Sequence, residues 1–164
     1  MRYRESKQFP VRKIVSGGQS GVDRAALDWA IGQGIPHGGW CPKGRRAEDG
    51  VIEPKYQLSE TPSRRYRSRT KQNVCDSDGT LIVNSGMLDG GTLNTKRFAE
   101  EQKKPVIVAK VAVGIGIGQV EQICLWLQDY GIEVLNVAGP RESKRPGIYR
   151  QTFELLDRVF ETQT

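Results

Sequence analysis

A parallel sheet with helices on both faces is the fold class this sequence predicts. Short runs of Val, Ile and Leu recur along the chain, apolar almost without a break rather than alternating, as in strands buried on both sides. Segments with helical apolar spacing separate them. At two places a strand hands over to a helix through a glycine-rich turn, at Gly17–Gly21 and at Gly90–Thr92.

The elements follow in order. Val11–Ser16 reads as the first strand, and Gly17-Gly18-Gln19-Ser20-Gly21 turns it into a helix over Val22–Gln33. The break Gly34-Ile35-Pro36 leads to a short strand or extended segment, His37–Cys41. A polar connection rich in glycine, proline and charge runs from Pro42 to about Pro62, and a helix covers about Ser63–Asp76. The next strand is Gly79–Asn84, with its helix at Leu93–Lys103. Pro105–Val111 is a strand, the apolar Ala112–Gly118 loop has a wall or interface role, and Gln119–Tyr130 is a helix. Ile132–Ala138 is the last strand and Pro146–Phe160 the last helix. With 164 residues the chain makes one domain over 11–164, preceded by a flexible arm over 1–10.

Composition narrows the function. Apolar content of 37% and a mean hydropathy of −0.54 suit a soluble protein, and no apolar run approaches a membrane span. Cys41, Cys75 and Cys124 lie far apart without paired spacing, which disfavours a zinc site or disulfide framework and suits a reducing cytoplasm. A lone His37 gives little support to a metal site or a serine triad. The net charge of +6 admits nucleic acid as a partner. The cations collect in loops, however, at Lys43-Gly44-Arg45-Arg46 and Arg141–Arg145. Arg64, Arg65, Arg67, Arg69 and Lys71 crowd one helix, where a solvated face is the simpler reading for some of them. Loop cations beside glycine turns suit a small polyanionic ligand at least as well as a nucleic-acid backbone.

In such folds ligands lie beyond the carboxyl ends of the strands. There the loops Gly17–Gly21, Pro42–Gly50, Ser85–Thr92, Ala112–Gly118 and Gly139–Gly147 would converge. Glycines admit close approach of a ligand, and a helix N-terminus directs unpaired N–H groups at an anion. Gly17, Gly18, Gln19, Ser20, Gly21, Gly90, Gly91 and Thr92 are therefore candidate phosphate-binding residues, Thr92 either binding the anion or simply capping its helix. Arg24, Lys43, Arg45, Arg46, Arg141 and Ser143 join them as candidates from the neighbouring loops. Asp23 complements the helix dipole. Glu48 and Asp49 either receive the N–H groups of a heterocycle or neutralise the arginines beside them. Trp40 either stacks on a heterocycle or packs a sheet edge, and Cys41 either approaches a soft metal or is an ordinary buried thiol.

Longer stretches carry a resemblance. Ser16–Asp28, Gly34–Gly50, Glu60-Thr61-Pro62 with Tyr66, Arg67, Arg69 and Thr70, Asp76–Ile82 and Asn136–Ser143 together resemble the molybdenum cofactor carrier protein family over nearly the whole chain after the arm. The resemblance implies a Rossmann-like, doubly wound fold related to the cytokinin-activating phosphoribohydrolases. It also implies homo-oligomers, expected to be tetramers, and binding of molybdopterin or the molybdenum cofactor as cargo for storage or delivery, with donor and acceptor proteins as partners. The alternative is a nucleoside-monophosphate phosphoribohydrolase-like enzyme or a nucleotide-binding sensor. The hydrolases resemble Gly-Gly-x-Gly-Thr followed closely by a glutamate. Here Gly90-Gly91-Thr92 runs into Leu93-Asn94-Thr95-Lys96, with no carboxylate before Glu100. General acid–base chemistry needs a carboxylate within hydrogen-bond reach, so a non-catalytic binding protein is the expectation.

Overall fold

The computed structural model describes residues 10–161; the expected arm falls almost entirely outside them. In chain order the elements are β1 (Lys13–Val15), α1 (Val22–Gln33), β2 (His37–Gly38), β3 (Trp40–Cys41), β4 (Arg46–Ala47), β5 (Gly50–Val51) and β6 (Ser59–Glu60). Then come α2 (Tyr66–Cys75), β7 (Gly79–Asn84), α3 (Gly90–Glu101), β8 (Val106–Lys110), α4 (Ile117–Asp129), β9 (Val134–Ala138) and α5 (Ile148–Glu161). The main sheet has five parallel strands in the order β2-β1-β9-β7-β8. With its strands numbered along the chain this is 2-1-5-3-4. It becomes the doubly wound order 3-2-1-4-5 once the first strand of that order is transferred to the end of the chain. The fold is thus α/β and Rossmann-like, in a circularly permuted connection.

Packing divides the two faces of the sheet unequally. Ile14, Leu81, Val83, Leu135 and Val137 pack with α1, α4 and α5 in one large core. The α2 and α3 face has a small apolar cluster of Val74, Phe98 and Ala99. Buried polar residues from the strands, Thr80, Asn84 and Asn136, accompany it, and the Asn136 amide donates to Thr80 Oγ1 at 3.2 Å. A polar floor under α2 and α3 is unusual for a buried parallel sheet and foreshadows where a polar ligand can enter.

The elements differ from the sequence reading at their ends. The first, fourth and fifth apolar runs overshoot their ladders, because the terminal residues stay extended with pairing on one side alone: Ser16 N–H still donates to Gly38 and Val111 N–H to Asn84. His37–Cys41 is two strands rather than one. Gly39 divides them at φ 120°, in so close an approach that a Cβ there would lie 2.4 Å from the Ser16 carbonyl oxygen. The chain then leaves the main sheet, and β3 pairs in parallel with β6. Helix α3 begins at Gly90 rather than Leu93, so Asp89 is its N-cap and Thr92 lies inside the first turn.

The polar connection from Pro42 to Pro62 is ordered. Glu48 and Asp49 form the two-residue turn of the β4–β5 hairpin, and Ile52 and Tyr56 pack on Leu27 and Cys41. Arg45 organises it: its guanidinium donates to the carbonyls of Ile52 (3.1 Å), Glu53 (2.8 Å), Tyr56 (2.9 Å) and Leu58 (3.3 Å). We expect Arg45→Ala to lower stability by about 2–3 kcal/mol, since carbonyls bonded to a charged donor lose it together. Denaturant unfolding measures this, and a variant as stable as the parent would deny Arg45 its structural role.

Candidate functional site

The connection after β1 runs outward to β2 and that after β7 runs the other way to β8, so the two diverge on either side of the central β9. A cleft of about 360 Å³ opens at this switch point, lined by residues of the β1–α1 turn, α2, α3 and the segment after β9. Six of the expected site residues line it: Gly17, Gln19, Gly90, Gly91, Thr92 and Arg141. The structure does not gather the other eight into its lining. Lys43 is exposed. Arg45 holds the polar connection, as described above. Arg46 donates to the Arg64 carbonyl at 3.3 Å and its guanidinium lies 4.7 Å from the Tyr66 ring centre. Arg24 donates to Gly18 O at 2.9 Å and pairs with Asp49 at 2.9 Å.

The two glycine turns are not equivalent. In the first, four of the donors already have protein acceptors. Gln19 N–H donates to Asp23 Oδ2 (3.3 Å) and Ser20 N–H to Gln19 Oε1 (3.0 Å). Val22 N–H reaches Pro140 O at 3.3 Å and Arg24 N–H reaches Gln19 O at 3.0 Å. Gly21 lies so close to the β9–α5 segment that a Cβ would meet Pro140 O at 2.5 Å. This turn is a packing junction. At the start of α3 no side chain caps the helix, and the first backbone bond is Leu93 N–H to Asp89 O. Gly90, Gly91 and Thr92 keep N–H groups without an acceptor among the described residues. Of the two helix starts at the cleft, that of α3 leaves all three of its first N–H groups open to an anion.

Two of the α2 cations, Arg67 and Arg69, face the cleft rather than a solvated surface. Arg69 crosses directly over Gly17, where a Cβ would fall 1.7 Å from its Nη1. Its Nη1 donates to Asp23 Oδ2 at 2.7 Å, with side chains only 11% and 5% exposed. Burial pushes the Asp23 carboxyl up, against the pull of Arg69. Arg69 Nε is buried and has no partner, although its side chain lines the cleft. Arg67 also lines the cleft, its guanidinium 5.0 Å from the Phe98 ring centre. Tyr66, Thr70 and Asn73 complete this wall. Periodicity could not distinguish Arg69 from its exposed neighbours; the family-like spacing of Tyr66, Arg67, Arg69 and Thr70 was the available signal.

The acidic candidates turn inward to the protein. Glu48 accepts from Ser20 Oγ, from Ser143 Oγ and N–H, and sits 3.5 Å from Arg141 Nε. Burial pushes its carboxyl up, but the serine hydrogen bonds and Arg141 outweigh it and hold the group below its ordinary value. Asp49 is held low by Arg24. Neither lines the cleft, where Asp23 is the one carboxylate. Trp40 is half-buried and donates Nε1 to Asp76 at 2.7 Å. Cys41 is buried away from the cleft, with its thiol pushed up by burial. Among the described residues no cluster of His, Cys, Asp and Glu could hold a metal ion.

The family model described as "Circularly permutated YpsA SLOG family" matches residues 14–160. A crystal structure from Syntrophus aciditrophicus SB, named "Putative molybdenum carrier protein", is similar to this chain with a TM-score of 0.89 and 49% identity, over 92% of this chain and 95% of that one. No curated protein matches.

The crossing of Arg69 over Gly17 yields a test. Gly17→Ala should force the guanidinium away from Asp23 and leave a buried carboxylate without its cation. We expect a loss of about 3–5 kcal/mol, read from denaturant unfolding. A loss below about 1 kcal/mol would mean that the crossing is not tight.

Proposed function

This chain belongs to the circularly permutated YpsA SLOG family, and from that premise we propose that its cleft binds a phosphorylated pterin, the molybdenum cofactor or molybdopterin, as cargo. The observation that carries this reading is Arg69, a residue of the cleft wall whose buried Nε lacks a partner. A buried donor without an acceptor is costly, and an anionic ligand would relieve it. The open N–H groups of α3 and the cations Arg141 and Lys144 support the same end of the ligand. Tyr66, Asn94 and Asn136 in the lining offer an aromatic ring and amides for a heterocycle. A volume of about 360 Å³ falls within the range of small-molecule sites, about 300–1,000 Å³. The similar crystal structure bears the name of a molybdenum carrier, which supports the choice of cargo over other phosphorylated heterocycles.

Carriage rather than turnover follows from the carboxylates. Cleavage of a glycosidic bond would need an acid or base facing the ligand, and Asp23 is committed to Arg69. Glu48 and Asp49 lie outside the cleft lining and have partners of their own. Three free cysteines agree with a cytoplasmic setting, and no helix among the described residues is long and apolar enough to cross a membrane. Exposed Val113 and Ile117 offer apolar surface for the self-association that the resemblance implies.

Arg69→Lys tests the reading without leaving Asp23 unpaired, because an ammonium can still reach the carboxylate but cannot present the guanidinium's second edge. Affinity for molybdopterin should fall by about 1.5–3 kcal/mol in titration calorimetry, with little change in melting temperature. An unaltered affinity would remove Arg69 from the site. Bound cofactor should decay more slowly than free cofactor, and adenosine monophosphate should release no adenine. Adenine release that vanishes in Asp23→Asn would replace the carrier reading with the hydrolase one.

A further inference from the structure

We propose that Asp89 is a tethered stand-in for the ligand's phosphate: a specificity-determining carboxylate that holds Lys144 at the mouth of α3 until a more highly charged anion displaces it. The proposal rests on the reading that an anion enters the cleft at α3.

Asp89 occupies the N-cap of α3 in extended geometry, φ −148° and ψ 173°. A side chain there ordinarily turns back to accept an N–H of the first turn. Asp89 makes no such bond. Its carboxylate forms an ion pair with Lys144 Nζ and lies 3.7 Å from Arg145 Nη2. Lys144 Nζ is placed over the open donors of α3: a Cβ on Gly90 would stand 3.1 Å from it. One cation is thus shared between a carboxylate already present and the position an incoming anion would take.

The surroundings leave Lys144 no other acid among the described residues. Glu142 accepts from Gly147 and Tyr149 N–H, and Glu48 is engaged by Ser20, Ser143 and Arg141. Arg145 is anchored independently, its Nε donating to Ser85 O at 2.6 Å. Asp89 can therefore keep Arg145 as a partner when Lys144 turns to a ligand. The arrangement sets a threshold. A phosphate monoester carries about 1.5–2 negative charges near neutral pH, and the extra charge can offset the translational freedom that any free ligand loses against a tethered carboxylate; a free monoanion bears the same loss without that extra charge.

Calorimetric titration with inorganic pyrophosphate and with acetate tests this on Asp89→Asn, Lys144→Met and the double variant, with Arg69→Lys alongside. Asp89→Asn should bind pyrophosphate about tenfold more tightly and Lys144→Met about tenfold more weakly, each near the worth of one charge-assisted bond. Asp89→Asn should add nothing in the Lys144→Met background, and the preference for pyrophosphate over acetate should narrow. Equal or weaker pyrophosphate binding by Asp89→Asn, or a gain that persists without Lys144, overturns the proposal. If Arg69→Lys still weakens pyrophosphate binding in that case, the cleft reading survives the failure. If no chain binds pyrophosphate, both fall together.

Discussion

The ion pair between Asp23 and Arg69 is the constraint on which the site depends. It joins the first turn of α1 to α2 across the carboxyl ends of the strands, at 2.7 Å and almost out of solvent. Burying two charges is favourable only when the geometry is good and the remaining donors and acceptors are satisfied. Asp23 meets that condition through the Gln19 N–H. Arg69 does not, because its Nε is left without a partner. The same pair that fastens the fold therefore leaves one unmet polar demand, on a residue that lines the cleft. Gly17 is what permits the crossing, since any side chain there would occupy the space of the guanidinium.

Circular permutation explains why the more conspicuous glycine turn is not the open one. In the unpermuted doubly wound order, the turn after the central strand opens the ligand crevice. Here the central strand is β9, near the end of the chain, and its following segment packs against the β1–α1 turn through Gly21, Pro140 and Glu142. The two turns satisfy each other: Pro140 O accepts Val22 N–H, and Ser20 Oγ accepts Glu142 N–H. Open donors remain at α3, on the other side of β9. Such a division takes up donors at the β1–α1 turn and leaves those at the start of α3 open.

The distribution of acids fits a protein that holds an anion rather than one that attacks it. Glu48 ties the hairpin turn to Ser20 and Ser143, Asp49 fixes Arg24, Asp28 accepts the hydroxyls of Tyr56 and Tyr149 at 2.6 Å each, and Glu142 satisfies the backbone at the start of α5. Each of these four carboxylates has structural work. Their repulsion toward an incoming phosphate is thereby muted, because each is matched by a cation or by hydrogen-bond donors of the protein.

Local pattern determined much of this protein. The helix over Val22–Gln33 and the strand over Gly79–Asn84 have the bounds their apolar spacing predicts, because periodicity reports burial directly. Gly90, Gly91 and Thr92 were legible as a helix start with donors to offer. Tertiary structure decided the rest. Whether an N–H is open depends on acceptors far away in sequence, and Pro140 closes the first turn from more than a hundred residues downstream. Whether an arginine is solvated or buried depends on what lies across from it, which is why Arg69 reads in sequence like Arg64 and Arg65. Arg45 and Arg46, phosphate grips by composition, became a clamp and a stacking partner when the Pro42–Pro62 connection folded around them. Sequence specifies which groups exist and which face of an element they occupy; only the packed chain specifies which of them still lack a partner.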